Sequence, residues 1–437
     1  MSFLLGVLVL AVGLVASIGL HELGHLVPAK RFGVLVPRYF VGFGPTLWST
    51  RRGETEYGLK AIPLGGFVTL AGMFAPARPG RRTHRKDGRP TLAQEAREIS
   101  AEEVPEGQEH RAFHRLPVGK KIVVMMGGPL VNLVLSVILL AIVVCGIGIS
   151  APTTTLDSVQ ECVATSAGTG DGGTDESPTT PAPGDADCLA GPGAAAGLQP
   201  GDEIVSWGGV EVEEWTEVQE TIASGGAVPT DVVVERDGAE VALTVTPEVV
   251  ERPVEGGGTA PTPYVGIGPA FAQDRLSVTE VPGMAWEQLT GTAEIIVRLP
   301  VALVDVAKAT FGLQERDPGV VGLVGVGRFA GEIASVEAPE YTGVQRFADL
   351  LSLLGALNMT LFVFNLVPLL PLDGGHVAGA LWEGLRRFVA RLRGRPDPGP
   401  ADTARLLPLT YVVVALMIGM TVLLVVADIV VPVSLTG

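Results

Sequence analysis

The chain has 437 residues, of which 47% are hydrophobic, and its mean hydropathy is +0.39. Its formal net charge is −16, and its basic residues are concentrated beside apolar stretches, where membrane orientation and lipid contact explain them. This composition excludes a single small soluble domain and argues against nucleic acid as a partner. Four apolar stretches are each long enough to cross a bilayer: 3–27, 122–150, 350–372 and 409–431.

The first apolar stretch runs into the sequence His-Glu-Leu-Gly-His at residues 21–25. On a helix, His21 and His25 lie on one face and can bind one metal ion together. Zinc takes neutral imidazole nitrogens and lowers the pKa of its bound water to about 7, and Glu22 is placed to take a proton from that water. Ionisable groups at membrane depth indicate a function. Two interfacial histidines beside a snorkelling glutamate are the alternative.

The charges around the apolar stretches predict how the chain crosses the membrane. The first stretch has no basic start and is longer than the apolar part of a signal peptide, so we expect a retained helix. The segments 31–120 and 377–408 are rich in Arg, and the segment after the second stretch is acidic. The positive-inside rule then places the two basic segments in the cytosol and both termini and the acidic segment outside.

The segment after the metal motif predicts a small cytosolic β-sheet. Turns are expected at 41–45 and 63–67, and a strand at 56–62, where polar and apolar residues alternate. A strand edge at this place could pair with an extended peptide, and a plain connecting hairpin is the alternative. Residues 74–112 are rich in Pro, Arg and Glu and predict a flexible loop.

The second apolar stretch begins with Gly127-Gly128-Pro129, followed by Asn132. Small residues let helices approach closely in membranes, and an asparagine can hydrogen-bond across them. The pattern therefore favours a packing role for Asn132 over a direct catalytic one.

The acidic outer segment predicts a folded module after a linker. Residues 151–190 are of low complexity, whereas 197–205 reads as a turn and a strand. A helix at 215–224 and strands at 231–235 and 240–245 follow, and the whole resembles a PDZ domain, which binds peptide ends by strand addition. An inert spacer is the alternative.

Cys162 and Cys188 both fall in this outer segment, where disulfides can form, so we expect them to pair. Two free thiols in a mobile linker are the alternative. Further on, residues 281–316 predict an amphipathic helix on the outer membrane face. The run of glycines at 322–327 is reversed from a dinucleotide fingerprint and lacks a βαβ context, which excludes a nucleotide site.

The third apolar stretch ends in a motif that runs from Asn365 to Asp373-Gly-Gly-His376. The first and third stretches cross in the same direction, so their ends lie at one depth and Asp373 can approach His21 and His25. Two histidines and one carboxylate leave an open zinc position, as a catalytic site requires. His376 is a weaker ligand candidate and is expected at the interface. Asn365 lies about two turns before Asp373 and shares its helix face if the helix runs that far.

These motifs together resemble the site-2 protease family of intramembrane zinc metalloproteases. Gly128-Pro129-x-x-Asn132 fits the family as well, and the stretches 39–45 and 65–67 are similar to its RseP-like actinobacterial branch, which acts in regulated intramembrane proteolysis. The resemblance implies one zinc ion held by His21, His25 and Asp373, and Glu22 as the general base. It also implies a substrate-binding role for Asn365, Gly65 and Gly66.

The resemblance further implies that the substrates are single-span membrane proteins already trimmed outside by another protease, with anti-sigma factors as the class. A catalytically inactive scaffold that binds through the PDZ-like domain is one alternative, and the retained Glu22 argues against it. A transporter or ion pathway is another, and four spans without an inverted repeat argue against that.

The predicted fold is a polytopic α-helical membrane protein with four transmembrane helices, a small cytosolic β-sheet and an extracytoplasmic PDZ-like α+β domain. The first membrane helix occupies 1–30, and the cytosolic β-region and loop occupy 31–120. The remaining segments are the second membrane helix at 121–150, the linker and PDZ-like domain at 151–270, the amphipathic region at 271–345, the third membrane helix at 346–376, the cytosolic loop at 377–408 and the fourth membrane helix at 409–431.

Overall fold

The computed structural model describes residues 2–78, 80, 82–164, 188–253, 259–317, 319–336 and 341–434. The chain divides into two compact units. The first unit combines Met1–Ile147 with Leu276–Gly437, and the second is Gly148–Arg275.

The elements follow each other along the chain as follows. The first unit begins with α1 (Ser2–Arg31), β1 (Arg38–Arg52), β2 (Thr55–Thr69), α2 (Leu92–Glu102) and α3 (Val118–Ala141), which a π-helical turn extends to Ile147. The second unit contains β3 (Ile149–Val159), β4 (Cys162–Ala164), β5 (Cys188–Ala190), α4 (Pro192–Ala195), β6 (Glu203–Trp207), β7 (Val210–Glu211), α5 (Trp215–Gly225), β8 (Thr230–Arg236), β9 (Ala239–Val245), β10 (Glu248–Pro253), β11 (Thr259–Tyr264) and β12 (Ile267–Asp274). The first unit then resumes with α6 (Val281–Thr310), α7 (Leu323–Ser335), α8 (Gly343–Asn365), α9 (Asp373–Leu392) and α10 (Leu407–Val430).

Four helices in the described part of the chain are long and apolar enough to cross a membrane, which confirms the predicted number. They are Ser2–Arg31, Val118–Ile147, Gly343–Asn365 and Thr403–Val430. The third ends earlier than predicted, because Pro368 and Pro371 follow it and proline cannot continue a helix. Asp373 opens a separate helix, so the expectation that Asn365 and Asp373 share one helix face is wrong.

Contacts along α1 show how the other spanning helices run beside it. Gly13 faces Leu354 and Ser17 accepts a hydrogen bond from Asn358 of α8, 3.0 Å away, so contacts advance in the same sense and the two helices are parallel. The predicted common direction of these two spans is confirmed. Later residues of α1 contact earlier residues of α3, so α3 is antiparallel to α1 and α8.

The sheet that follows α1 is built from two long strands rather than from short strands and turns. β1 and β2 pair in an antiparallel manner, with several register shifts. The predicted turns at 41–45 and 63–67 lie inside these strands and are therefore wrong as turns. Gly42, Gly44 and Gly65 have positive φ, so the backbone bends at irregularities while pairing continues.

Helix α2 lies within the stretch 74–112 that composition predicted as a flexible loop. The Thr91 side chain caps its first turn by accepting the Gln94 N–H at 3.3 Å. Arg97 anchors the helix through an ion pair of 2.6 Å with Asp402. Asp402 is 305 residues away from Arg97 in the sequence. Local composition therefore cannot predict the ion pair that orders this helix.

The second unit has a sheet in the order β12-β3-β6-β8-β9, with β7 pairing against β6. Its buried core includes Trp207, Val232 and Val234 from the sheet and Val218 from α5. The predicted helix at 215–224 and the strands at 231–235 and 240–245 are confirmed within two residues.

The backbones of β4 and β5 pair with each other. The side chains of Cys162 and Cys188 lie outside what the structure describes, so their disulfide stays a prediction. The predicted helix within 281–316 is confirmed as α6, and Val306 of α6 packs against Leu424 and Ala427 of α10.

The glycine run at 322–327 forms the start of α7, where it makes room for a buried carboxylate. Asp428 accepts the backbone N–H groups of Gly322 and Gly325 at 3.3 and 2.7 Å and pairs with Arg316. A Cβ at Gly322 would lie 2.7 Å from an Asp428 oxygen, so a side chain there would displace the carboxylate. These glycines therefore have a packing role.

Candidate metal centre

Three predicted ligands, His21, His25 and Asp373, converge in the structure. Nε2 of His21 and Nε2 of His25 both lie 3.4 Å from Oδ2 of Asp373 and 3.2 Å from each other. All three ligand atoms fall within 4.8 Å of one another. The two histidines come from adjacent turns of α1, and Asp373 is the first residue of α9. This set of two imidazoles and one carboxylate fits a zinc ion and leaves a fourth position open.

A backbone carbonyl fixes the orientation of His25. Its Nδ1 lies 2.8 Å from the carbonyl oxygen of Val124 in α3, which can only accept a hydrogen bond. Nδ1 must therefore carry the hydrogen, and Nε2 keeps a lone pair that is directed at the cluster. His25 is 5% exposed, so this hydrogen bond is made in a buried place.

The side chain of Asn132 in α3 fixes the orientation of His21 in the same way. The amide nitrogen of Asn132 is placed 3.1 Å from Nδ1 of His21, while its Oδ1 is buried without a hydrogen-bond partner. The oxygen and nitrogen positions of a side-chain amide are assigned from hydrogen bonding. When the two atoms of Asn132 are exchanged, Oδ1 accepts a hydrogen bond from the Nδ1–H of His21. This exchange resolves the orphaned oxygen and leaves Nε2 of His21 free to bind metal. The sequence favours a packing role for Asn132 over a direct catalytic one and does not predict this contact with His21.

Glycines allow α3 to lie directly against the metal motif. Gly24 of α1 and Gly127 of α3 face each other so closely that a Cβ on either would overlap the other's backbone. A Cβ on Gly128 would overlap Nε2 of His25 and lie 2.7 Å from Nε2 of His21. Any larger residue at 128 would thus occupy the space that the ligand atoms share.

Glu22 lies between the histidines and the sheet. A Cβ on Gly66 of β2 would come within 2.9 Å of Cγ of Glu22 and 3.1 Å of a methyl group of Ile18, so this strand passes α1 in close contact. Tyr39 of β1 fastens the sheet to the same helix by donating to the carbonyl oxygen of Gly19 at 2.7 Å. The predicted substrate residue Gly66 is thereby beside Glu22, whereas Gly65 contacts Phe43.

The segment between α8 and α9 brings Asp373 to the histidines. A Cβ on Gly375 would lie 2.6 Å from the backbone nitrogen of Leu370, so the glycine lets this segment fold tightly onto α9. Oδ2 of Asp373 thereby lies 3.4 Å from Nε2 of each histidine. A carboxylate oxygen in this position completes the set of three ligands that a catalytic zinc site requires.

Two further predicted residues stand apart from the cluster. His376 lies outside the cluster of ligand atoms. Asn365, the last residue of α8, donates its amide to the carbonyl oxygen of Leu361 at 2.9 Å. Its amide oxygen and its second N–H are therefore the groups available to another partner.

Comparison with known proteins gives a consistent result. The model of peptidase family M50 matches residues 9–395. The chain is 34% identical over 451 aligned residues to the zinc metalloprotease Rip1 of Mycobacterium tuberculosis, covering 100% of both. It is 26% identical over 405 residues to the metalloprotease MmpA of Caulobacter vibrioides, covering 89% of this chain and 90% of the relative. It is 23% identical over 428 residues to the zinc metalloprotease RasP of Bacillus licheniformis, covering 86% and 88%.

Proposed function

Because this chain belongs to peptidase family M50, the site-2 zinc metalloproteases, we propose that it cleaves single-span membrane proteins within the bilayer at a zinc held by His21, His25 and Asp373. The observation that carries the proposal is the convergence of these three side chains from two helices, beside Glu22. α1, which supplies three of these four residues, is itself long and apolar enough to span a membrane.

The chain's own residues account for the proton transfers of peptide hydrolysis. When bound, zinc supplies a Lewis acid that polarises the scissile carbonyl and lowers the pKa of water. Glu22 accepts the proton of the attacking water and passes it to the leaving amine as the carbon–nitrogen bond breaks. Val124 and Asn132 hold the imidazoles in the tautomer that presents Nε2.

The substrate must be unwound locally before cleavage, because the carbonyls of a transmembrane helix are engaged in its own hydrogen bonds. Strand β2 passes Glu22 at Gly66, so a backbone edge of this sheet is the place where an extended substrate segment would add. Asn365 offers its amide oxygen to the unwound backbone, while one of its N–H groups is engaged by the carbonyl oxygen of Leu361. Gly65 keeps the strand in a positive-φ conformation beside Gly66.

The second unit is proposed to be a PDZ-like domain outside the cell membrane, with both termini on the same side. Its sheet, with α5 packed into the same core, supports this assignment, and the acidic composition of this segment supports the orientation. No cluster of metal ligands occurs in the described part of this unit. We assign it the selection of substrates and no chemistry.

Anti-sigma factors trimmed outside by a first protease are the proposed substrates, which gives the enzyme a role in stress signalling. The test is a comparison of membrane proteomes from cells that carry the wild-type chain or Glu22→Gln. Trimmed single-span proteins should accumulate in the variant, and a trimmed anti-sigma factor should be among them. Identical proteomes would favour the catalytically inactive scaffold, and accumulation of other trimmed proteins alone would refute only the substrate class.

A further inference from the structure

Helix α9 has one side that the protein covers and a second, apolar side that it leaves exposed. Ala380, Glu383 and Ala390 are buried, and Glu383 pairs with Lys121 of α3 at 2.8 Å. Leu381, Leu385, Phe388 and Leu392 follow each other at intervals of three or four residues and therefore share a face, on which each is 52–71% exposed. This exposed row of four apolar side chains needs a covering partner.

A cavity lined by arginines adjoins the exposed row. It has a volume of about 350 Å³, and its lining includes Trp382, Arg386, Arg393 and Arg395. Gly394 has a φ of +61° and ends α9 with a turn in which the Arg395 N–H donates to the carbonyl oxygen of Ala390 at 2.9 Å. The turn folds the chain back, so that guanidinium groups from both sides of it border one space.

The arginines that line this cavity form no ion pairs within the described residues. In the described residues, Glu383 pairs with Lys121 and Arg387, and Asp397 also pairs with Arg387. None of the three arginines of the cavity forms an ion pair there, although Arg386 donates to the carbonyl oxygen of Pro398 at 3.2 Å. Burial and the neighbouring Arg78 lower the pKa of Arg386, and the carboxylates of Glu383 and Asp397 oppose that shift only in part. An anion would therefore be stabilised here.

The cavity lies at the level where the apolar part of α3 begins. Lys121 and Val118, in the first turn of α3, lie against Glu383 and Gly384, which stand in sequence between the cavity residues Trp382 and Leu385. The uninterrupted apolar stretch starts at Ile122, so this is the level of the membrane–water boundary. Tryptophan and arginine are typical of that boundary, where phosphate groups also lie.

We infer that this cavity binds the headgroup of an anionic phospholipid, whose phosphate contacts Arg386, Arg393 and Arg395 while its acyl chains cover Leu381 and Leu385. Guanidinium groups bind phosphate oxygens in pairs, and the exposed row supplies the apolar surface that acyl chains require. The inference is independent of proteolysis, because none of these residues belongs to the metal centre.

The test is a lipid titration of the purified, delipidated full-length protein, followed by native mass spectrometry. Phosphatidylglycerol, phosphatidylcholine and inorganic phosphate are the probes. Phosphatidylglycerol should bind preferentially, and Arg393→Gln or Arg395→Gln should weaken its binding about tenfold. Arg391→Gln is the matched control, since it removes the same charge two residues before Arg393 but does not line the cavity. Zinc content verifies that each variant is folded.

Other outcomes would overturn the inference. Equal binding of phosphatidylcholine would exclude recognition of the headgroup charge, and equal weakening by Arg391→Gln would indicate diffuse electrostatic attraction. Inorganic phosphate binding as tightly as phosphatidylglycerol would make the cavity a site for free anions. A dimer that forms in place of the lipid complex would show that a second copy of the chain covers α9.

Discussion

The Nε2 atoms of His21 and His25 must both be free of hydrogen for the centre to accept a metal. For His25, the carbonyl oxygen of Val124 fixes that state, and for His21 the side chain of Asn132 does so. Such partners of metal-binding histidines orient the ring and raise its affinity for the metal, typically by a factor of about 10 to 100. Asn132 is therefore a positioning residue rather than a catalytic one.

Replacement of Asn132 should weaken zinc binding without unfolding the protein. We expect Asn132→Ala to lower zinc affinity about 10- to 100-fold, because the orienting acceptor is lost. Asn132→Asp should restore most of it, since a carboxylate also accepts the Nδ1–H. The measurement is competition with a chelator of known affinity. Asn358→Ala, which removes a buried asparagine that contacts Ser17, is the control, and an equal loss in this variant would contradict the assignment.

Replacement of Asn365 should impair turnover while zinc remains bound. Asn365→Ala removes the amide oxygen that we assign to the unwound substrate backbone, and one such hydrogen bond corresponds to about a tenfold loss of rate. Substrates with helix-breaking residues should be affected less than stable helical ones. Cleavage rates of a matched pair of substrates measure this, and equal losses for both would exclude a role in unwinding.

Much of the metal centre could be predicted from residue types alone. His21, Glu22 and His25 follow from the spacing of one motif, and Asp373 follows from the shared depth of two spans. Asn132 could not be assigned in this way, because its partner is 111 residues distant and an asparagine in an apolar helix also suits plain packing. Its spacing of four residues from Gly128, which overlies the ligand atoms, was the available signal.

At the scale of elements, local patterns predicted the helices better than their ends. The four spans and the elements of the second unit follow from hydropathy and periodicity, which depend on neighbouring residues. α8 ends at Asn365 because Pro368 and Pro371 follow it, whereas the predicted third membrane helix extends past both prolines. The sheet beside α1 was predicted as short strands, because glycines in a long bent strand look like turns in sequence.

The turn that begins the core of the second unit supplies a pH-dependent test. Asp202 is fully buried and accepts two hydrogen bonds of 2.7 Å from Arg236. These hydrogen bonds lower the pKa of Asp202 from its usual range. A carboxyl whose pKa is lower in the folded state stabilises the fold above its unfolded pKa, and this contribution is lost as the pH falls through the folded value.

Asp202→Asn should therefore lower the free energy of unfolding of the second unit by about 2 kcal/mol at neutral pH. It should also flatten the decline in stability below about pH 4, where only the carboxylate loses its charge. Hydrogen exchange of the β8 amides in the full-length protein measures both. A wild-type decline that is unchanged in the variant would assign the acid sensitivity to other groups.

At the scale of the molecule, the two units can be separated by deletion. The N–H of Leu276, after the second unit, lies 3.2 Å from the carbonyl oxygen of Val144, before it, so a short linker can replace Gly148–Arg275. The shortened protein should keep its zinc and cleave untrimmed single-span proteins that the complete enzyme refuses. Zinc content and cleavage of trimmed and untrimmed substrates are the measurements. Loss of zinc from a protein whose helices remain folded would make this unit structural rather than selective.

The most direct test compares the wild-type enzyme with Glu22→Gln in cleavage of a purified single-span substrate in detergent or bilayer discs. Glutamine preserves the size of the side chain but cannot accept a proton, so zinc content should remain one ion per chain while turnover falls by a factor of about 100 to 10,000. The products should locate the cut within the transmembrane segment. Undiminished turnover by a zinc-loaded Glu22→Gln protein would contradict the proposed mechanism.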